Sequence, residues 1–208
     1  MSIKVLLTSA IFLLLVGVGQ AQESNAPAAQ KTFCASGPEA AEICKPAEHR
    51  DDSAALLREV LAEIDTAVNQ SMVYATDMQV HGVAEHWSFG SIAADGKRYG
   101  DCEDYALTKM YNLLERGVDR AHLILAYALT PGTDLDGVAN VAFNGENRVG
   151  HFVLMVDHVD GLLVLDNFFG VGSIKSFRNR GYHFQAFQDP TNPDLWYDFD
   201  QAVLEAMS

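Results

Sequence analysis

Cys102, His151 and Asp166 are the residues whose types and order suit covalent chemistry in this sequence. A thiolate is a nucleophile, an imidazole takes and returns protons near neutral pH, and a carboxylate orients the imidazole. The chain has three cysteines. Cys34 and Cys44 lie close together in a stretch containing Gly37, Pro38 and Pro46, and are expected to form a small-loop disulfide in an oxidising compartment. Cys102 is then an odd thiol. Nucleophilic catalysis gives it a reason; an inert buried cysteine is the plain alternative. HExxH, CxxC, phosphate-loop and GxSxG patterns do not occur. The other histidines (His49, His81, His86, His122, His158 and His183) read mostly as surface residues, with His158 in a hairpin turn.

The local sequence sets up a tension at Cys102. It follows Gly100-Asp101 and opens an expected helix with Ala106, Leu107, Met110, Leu113 and Leu114 on one stripe, closed by Arg116-Gly117. Free N–H groups and the macrodipole at a helix start favour the thiolate. Asp101, Glu103 and Asp104 oppose it, because three carboxylates beside a thiol disfavour its ionisation. A bound cation is the simplest offset.

His151 begins the expected strand 151–156, and Asp166 ends its neighbour, 162–166. A turn over Asp157–Asp160 sets His151 opposite Asp166, with Cβ atoms about 5 Å apart. A two-residue turn at Asp160-Gly161 keeps the face but moves the pair four residues out of register. On this reading the triad needs the longer turn. Upstream, residues 23–50 read as extended and irregular. Asp51, Asp52 and Ser53 offer caps to a helix with Leu56, Leu57, Val60, Leu61, Ile64 and Val68 on one face, running to about Asn69. Residues 74–100 read as loop-rich, anchored by Trp87. A strand is expected over 122–129, then a long loop over 130–149, which usually serves function. Segments 174–177 and 182–187 are expected to continue the sheet. Helices followed by consecutive strands indicate an α+β fold with an antiparallel sheet.

Lys4, the apolar run Val5–Val18 and the small residues of Gly19-Gln20-Ala21 read as a secretory signal peptide over 1–21, with a membrane anchor as the alternative. The mature chain would then comprise a leader, 22–50, and one domain, 51–208. Loss of Lys4 leaves 13 basic residues against 28 acidic ones, a net charge of −15. That balance argues against nucleic acid and anionic membranes as partners and suits a divalent cation.

The stretch Gly100-Asp101-Cys102-Glu103-Asp104-Tyr105-Ala106, followed by Lys109, resembles the nucleophile motif of bacterial transglutaminase-like cysteine proteinases, of which the LapG-type periplasmic proteases are the best-known members. Gly150-His151-Phe152-Val153-Leu154 is similar to that family's histidine strand, and Val164-Leu165-Asp166-Asn167 to its aspartate strand. Val68-Asn69, Tyr74, Asp77, Gly82 and Trp87 match its upstream pattern, so the likeness covers about Ile64 to Phe187. The resemblance implies a papain-like, transglutaminase-type core in which a nucleophile helix packs on an antiparallel β-sheet. It implies a Cys102–His151–Asp166 triad and calcium held by Asp101 and Glu103, with Asp104 as a further candidate. It implies a periplasmic endopeptidase that cuts a large surface adhesin near its N-terminus, at paired alanines, under control of an inner-membrane receptor. Acyl transfer to an amine, hydrolysis of side-chain or cell-wall amides, and calcium-dependent binding without catalysis are the alternatives.

Overall fold

The computed structural model describes residues 23–47, 58–131, 140–143 and 146–199. The expected signal peptide and the capping residues Asp51, Asp52 and Ser53 lie outside the described residues. The N-terminal half carries β1 (Glu23–Asn25), α1 (Ala28–Cys34), α2 (Pro38–Ile43), α3 (Arg58–Ser71), β2 (Met72–Tyr74), α4 (Asp77–Val80), β3 (Ser91–Ile92), β4 (Arg98–Gly100) and α5 (Cys102–Glu115). After a 3-10 turn at Arg120–His122 come β5 (Leu123–Pro131), β6 (Asn140–Phe143), β7 (Glu146–His158), β8 (Gly161–Asp166) and β9 (Gly170–Ser173). Then α6 (Ile174–Asn179), β10 (His183–Asp189) and β11 (Asn192–Asp198) complete the described chain.

The main sheet runs β1-β11-β10-β5-β7-β8-β9, with β6 also on β7, and its pairings are antiparallel. A small sheet, β2-β4-β3, stands beside α5. The α+β class expected from the sequence is the class observed. Alternation along β5, β7 and β8 divides the interior into two cores. Leu123, Leu125, Leu154, Val156, Leu163 and Leu165 face the helices and pack with Leu61, Ile64 and Val68 of α3 and Leu107, Met110 and Leu113 of α5. Ile124, Ala126, Val153, Met155, Leu162 and Val164 face the other way, onto α6 and a set of aromatic rings around Tyr182 and Phe184.

Several expectations are corrected. Among the described residues of 23–50 only Glu23–Asn25 is extended strand; Ala28–Cys34 and Pro38–Ile43 are helical. Pro38 takes the first position of α2, where its missing N–H costs nothing, and Phe33 and Ile43 turn inward. The Cys34–Cys44 disulfide is present and joins the two helices. The described residues of the expected long loop over 130–149, namely 130–131, 140–143 and 146–149, are strand. β7 outruns β8, and its free edge at Glu146–Val149 pairs with β6. Residues 174–177 form a helix instead of a strand, because Ser173 Oγ accepts the Ser176 N–H at 3.2 Å and Ile174 and Phe177 bury one face. Trp87 does anchor its loop, buried edge-on against Phe152 at 5.3 Å. His122 and His158 are buried rather than on the surface.

The hairpin register also differs. His158 pairs with Gly161, so the turn is Val159-Asp160. His158 Nδ1 accepts the Asp160 N–H at 3.1 Å and closes this turn from within. The Leu154–Leu165 pairing then places Asp166 beside Val153 and leaves His151 two residues further along the same face.

Among the described residues no helix is long and apolar enough to cross a membrane.

Candidate active site and acidic cluster

The central strand has an uncovered interval. On its β6/β8 edge, β6 pairs with β7 up to Val149, and β8 begins pairing at Leu154. A two-residue turn makes His158 and Gly161 exchange ladder bonds, so even-numbered β7 residues direct N–H and C=O toward that edge. Phe152 therefore points its N–H into the interval, and there it meets Cys102 Sγ. Cys102 arrives from the helix side, as the first residue of α5. His151 belongs to the opposite face, with Val153 and Met155. Gly150 permits this arrangement, since a Cβ there would sit 2.6 Å from Tyr127 Oη.

His151 and Asp166 are both buried and directly bonded. His151 Nε2 lies 2.6 Å from Asp166 Oδ2. The diagonal separation across β7 and β8 is within reach of an imidazole. Asp166 is held from every side. Oδ2 also accepts from Tyr182 Oη at 3.1 Å, and Oδ1 accepts from the N–H groups of Phe168 at 2.7 Å and Phe169 at 2.8 Å. Burial alone would raise this carboxyl's proton affinity. The His151 bond and charge and the two amides outweigh it and hold Asp166 below its ordinary value. An ionised carboxylate accepts only, so the proton of this bond resides on Nε2 and Nδ1 is the basic nitrogen. Phe168 stacks on the imidazole at 5.3 Å, and Tyr182 meets it edge-on at 5.8 Å.

Cys102 is partly exposed and is the free cysteine of the chain. Its thiol is pushed well above the usual value, first by desolvation, then by the charges of Glu103 and Asp101; the Phe152 N–H works the other way. Sγ also donates to Glu103 Oε2 at 3.4 Å. Two of the three neighbouring carboxylates thus act on the sulfur. The third, Asp104, turns aside. Its Oδ1 accepts from Ser88 N at 2.7 Å and Ser88 Oγ at 3.0 Å, and its side chain lies over Gly100, where a Cβ would be 2.5 Å from Oδ2.

Asp77, Asp101 and Glu103 each bring a carboxylate oxygen to within 4.8 Å of the others. Desolvation first, then the Asp101 charge, raise Asp77 to about 7, and desolvation together with Asp101 holds Glu103 well above its usual range. Asp101 stands just before α5, but its side chain does not cap the helix; its Oδ2 accepts the Asp77 N–H at 3.2 Å instead. The His86 N–H donates to Asp77. Buried oxygens without a hydrogen-bond partner remain on Asp101 (Oδ1), Glu103 (Oε1) and Asp104 (Oδ2). The carboxylate oxygens that Asp77, Asp101 and Glu103 bring within 4.8 Å of one another, two of these side chains also keeping an unpartnered buried oxygen, fit a calcium ion.

Of the residues singled out from the sequence, His151 and Asp166 are in contact, Cys102 is one residue away at the Phe152 amide, and Asp101 and Glu103 cluster. Asp77 was not placed with the acidic residues beforehand. The capping-box spacing of Thr76 and Gln79 marks only a helix start there, with Gln79 Oε1 accepting the Thr76 N–H at 3.0 Å. Tyr182 had no such signal within its aromatic run.

No curated protein matches this sequence. Solved structures of Legionella pneumophila LapG are similar at 19% identity and a TM-score of 0.46, covering 89% of this chain and 100% of that one. Its calcium-bound form gives 21% and 0.45 over 86% of this chain and 97% of that one, and its EGTA-treated form 18% and 0.42 over 89% and 100%. The family model described as "bacterial transglutaminase-like cysteine proteinase" matches residues 20–203. That match spans most of the sequence, and the chain belongs to this family of cysteine proteinases.

Proposed function

We propose that the chain is a periplasmic, calcium-dependent endopeptidase that uses Cys102, His151 and Asp166 to cut a surface adhesin near its N-terminus. The observation that carries the triad is the 2.6 Å His151–Asp166 bond immediately beside the Phe152 amide that meets the Cys102 sulfur. His151 Nδ1 takes the thiol proton as Cys102 Sγ attacks the peptide carbonyl carbon. The C–N bond then breaks, the proton passes from His151 to the leaving amine, and a thioester remains. His151 next draws a proton from water, whose oxygen attacks the thioester, and Cys102 regains its proton as the acid leaves. Asp166 fixes the ring and offsets the imidazolium charge. The Cys102 backbone N–H would contribute to stabilising the oxyanion, as the free donor of a helix start.

Calcium would be held by Asp101, Glu103 and Asp77, with Asp104 Oδ2 as a further donor. When bound, it supplies positive charge beside the thiol and offsets the carboxylates that oppose its ionisation. The periplasmic site, the adhesin substrate with its alanine pair and a membrane receptor rest on the sequence resemblance.

The test is cleavage of a fluorogenic Ala–Ala peptide and of an adhesin N-terminal fragment, with and without calcium. Cys102→Ala should abolish cleavage while the fold is retained. Persistent cleavage by that variant defeats the triad. Incorporation of a labelled amine without hydrolysis would reassign the enzyme to acyl transfer.

A further inference from the structure

Behind Asp166 lies a second buried ion pair that the reaction itself does not use. Lys109 and Asp65 are both buried, with Nζ 2.7 Å from Oδ1. Asp65 Oδ2 accepts from Asn69 Nδ2 at 3.1 Å, and the same amide nitrogen donates to the backbone carbonyl of Asp166 at 3.0 Å. The chain of contacts joins three elements: α5, which begins at Cys102; α3; and the end of β8. Lys109 lies about two turns from Cys102 on α5, so it reports the position of the nucleophile's helix.

A buried charge pair is costly to assemble and is weak evidence for stability in itself. Its location is informative. Asn69 is the link, because its two N–H bonds are directed at two acceptors, which fixes the amide orientation. Asp65 can accept from that amide while Lys109 holds its charge. The Asp166 side chain is already saturated by His151, Tyr182 and the amides of Phe168 and Phe169. What Asn69 adds is a hold on the backbone from which that side chain springs. A backbone shift there would move the carboxylate, and with it the imidazole.

We propose that Lys109, Asp65 and Asn69 form a positioning relay that ties the helix of Cys102 to the strand end of Asp166. The proposal rests on the triad reading above. Asn69, Asp65 and Lys109 act through Asp166 and do not meet the substrate.

Asn69→Leu removes both donated bonds at a half-buried helix position where leucine is the better helix former. With calcium present and the Ala–Ala peptide as substrate, kcat should fall about tenfold or more, while KM and the melting temperature stay close to the parent's. The double variant Asp65→Leu/Lys109→Leu removes the pair as a unit and should show the same kcat loss. Combining it with Asn69→Leu should add little, because the residues lie on one path. Unchanged kcat in Asn69→Leu, alongside an inactive Cys102→Ala, overturns the relay and leaves the triad standing. Additive losses, or a rise in KM with kcat intact, also overturn the relay. Activity in Cys102→Ala removes the triad and the relay together. Should Asn69→Leu unfold, kcat of the double variant, whose interior stays apolar, decides the matter.

Discussion

His151 and Asp166 are diagonal rather than opposite neighbours across the β7–β8 hairpin, and they are bonded at 2.6 Å all the same. The imidazole spans the two-residue offset, and the accepted amides of Phe168 and Phe169 hold the carboxylate in its path. Asp166→Asn keeps the shape but offers an amide where Nε2 needs an acceptor. It should lower kcat on the Ala–Ala peptide by roughly three to four orders of magnitude, with near-normal folding by circular dichroism. A loss below tenfold would show that the bond is incidental.

Acid stability follows from the same carboxyl. Its folded proton affinity is held below the ordinary value by His151 and the two amides, against the opposing effect of burial. A group with a depressed folded pKa contributes stability that is full above the unfolded value of about 3.9 and is lost as pH falls through the lower folded value. Thermal unfolding followed from pH 5 to pH 2, with those limits chosen to bracket the carboxylate range, should fall less steeply for Asp166→Asn than for the parent. Parallel curves would remove Asp166 from the acid response.

The acidic cluster makes a paired prediction. Asp101→Asn removes a like charge from among Asp77, Glu103 and Asp104. In chelator the variant should therefore melt above the parent. Calcium should raise the parent's melting temperature, by about 2.7 kcal/mol of stability at a hundredfold excess over Kd, and should barely move the variant. Equal calcium shifts in both proteins would place the ion elsewhere.

The Cys34–Cys44 bridge closes a loop with a sequence separation of 10. Chain-entropy arguments assign such a loop about 2–3 kcal/mol. Replacing both cysteines with serine should cost about that much in urea unfolding. Because neither cysteine belongs to the proposed triad or to the acidic cluster, kcat should be preserved. A kcat loss matching the stability loss would link these helices to the site.

The parts of this fold that were legible in the sequence are those governed by local periodicity. The stripe Ala106–Leu114 and the apolar runs 151–156 and 162–166 each announce an element. Register was not legible. It turns on His158 Nδ1 accepting the Asp160 N–H, a side-chain bond that selects Val159-Asp160 as the turn. The strand at 140–143 was hidden because its pairing depends on how far β7 outruns β8. Buried charges misled most. Lys109 and Asp65 carry side chains that ordinarily seek solvent, and only the folded chain shows each as the other's partner. Asp77 joins Asp101 and Glu103 across the small sheet, a tertiary approach to which spacing is blind.

The uncovered interval on β7 lets a single sheet serve two separately packed interiors. The sulfur takes its position from the helical layer, and the imidazole takes its position from the aromatic layer around Tyr182. Repacking Phe177 or Phe184 would therefore reach the acid–base half first, whereas a shift of α5 would reach the thiol directly and the imidazole through Lys109, Asp65 and Asn69.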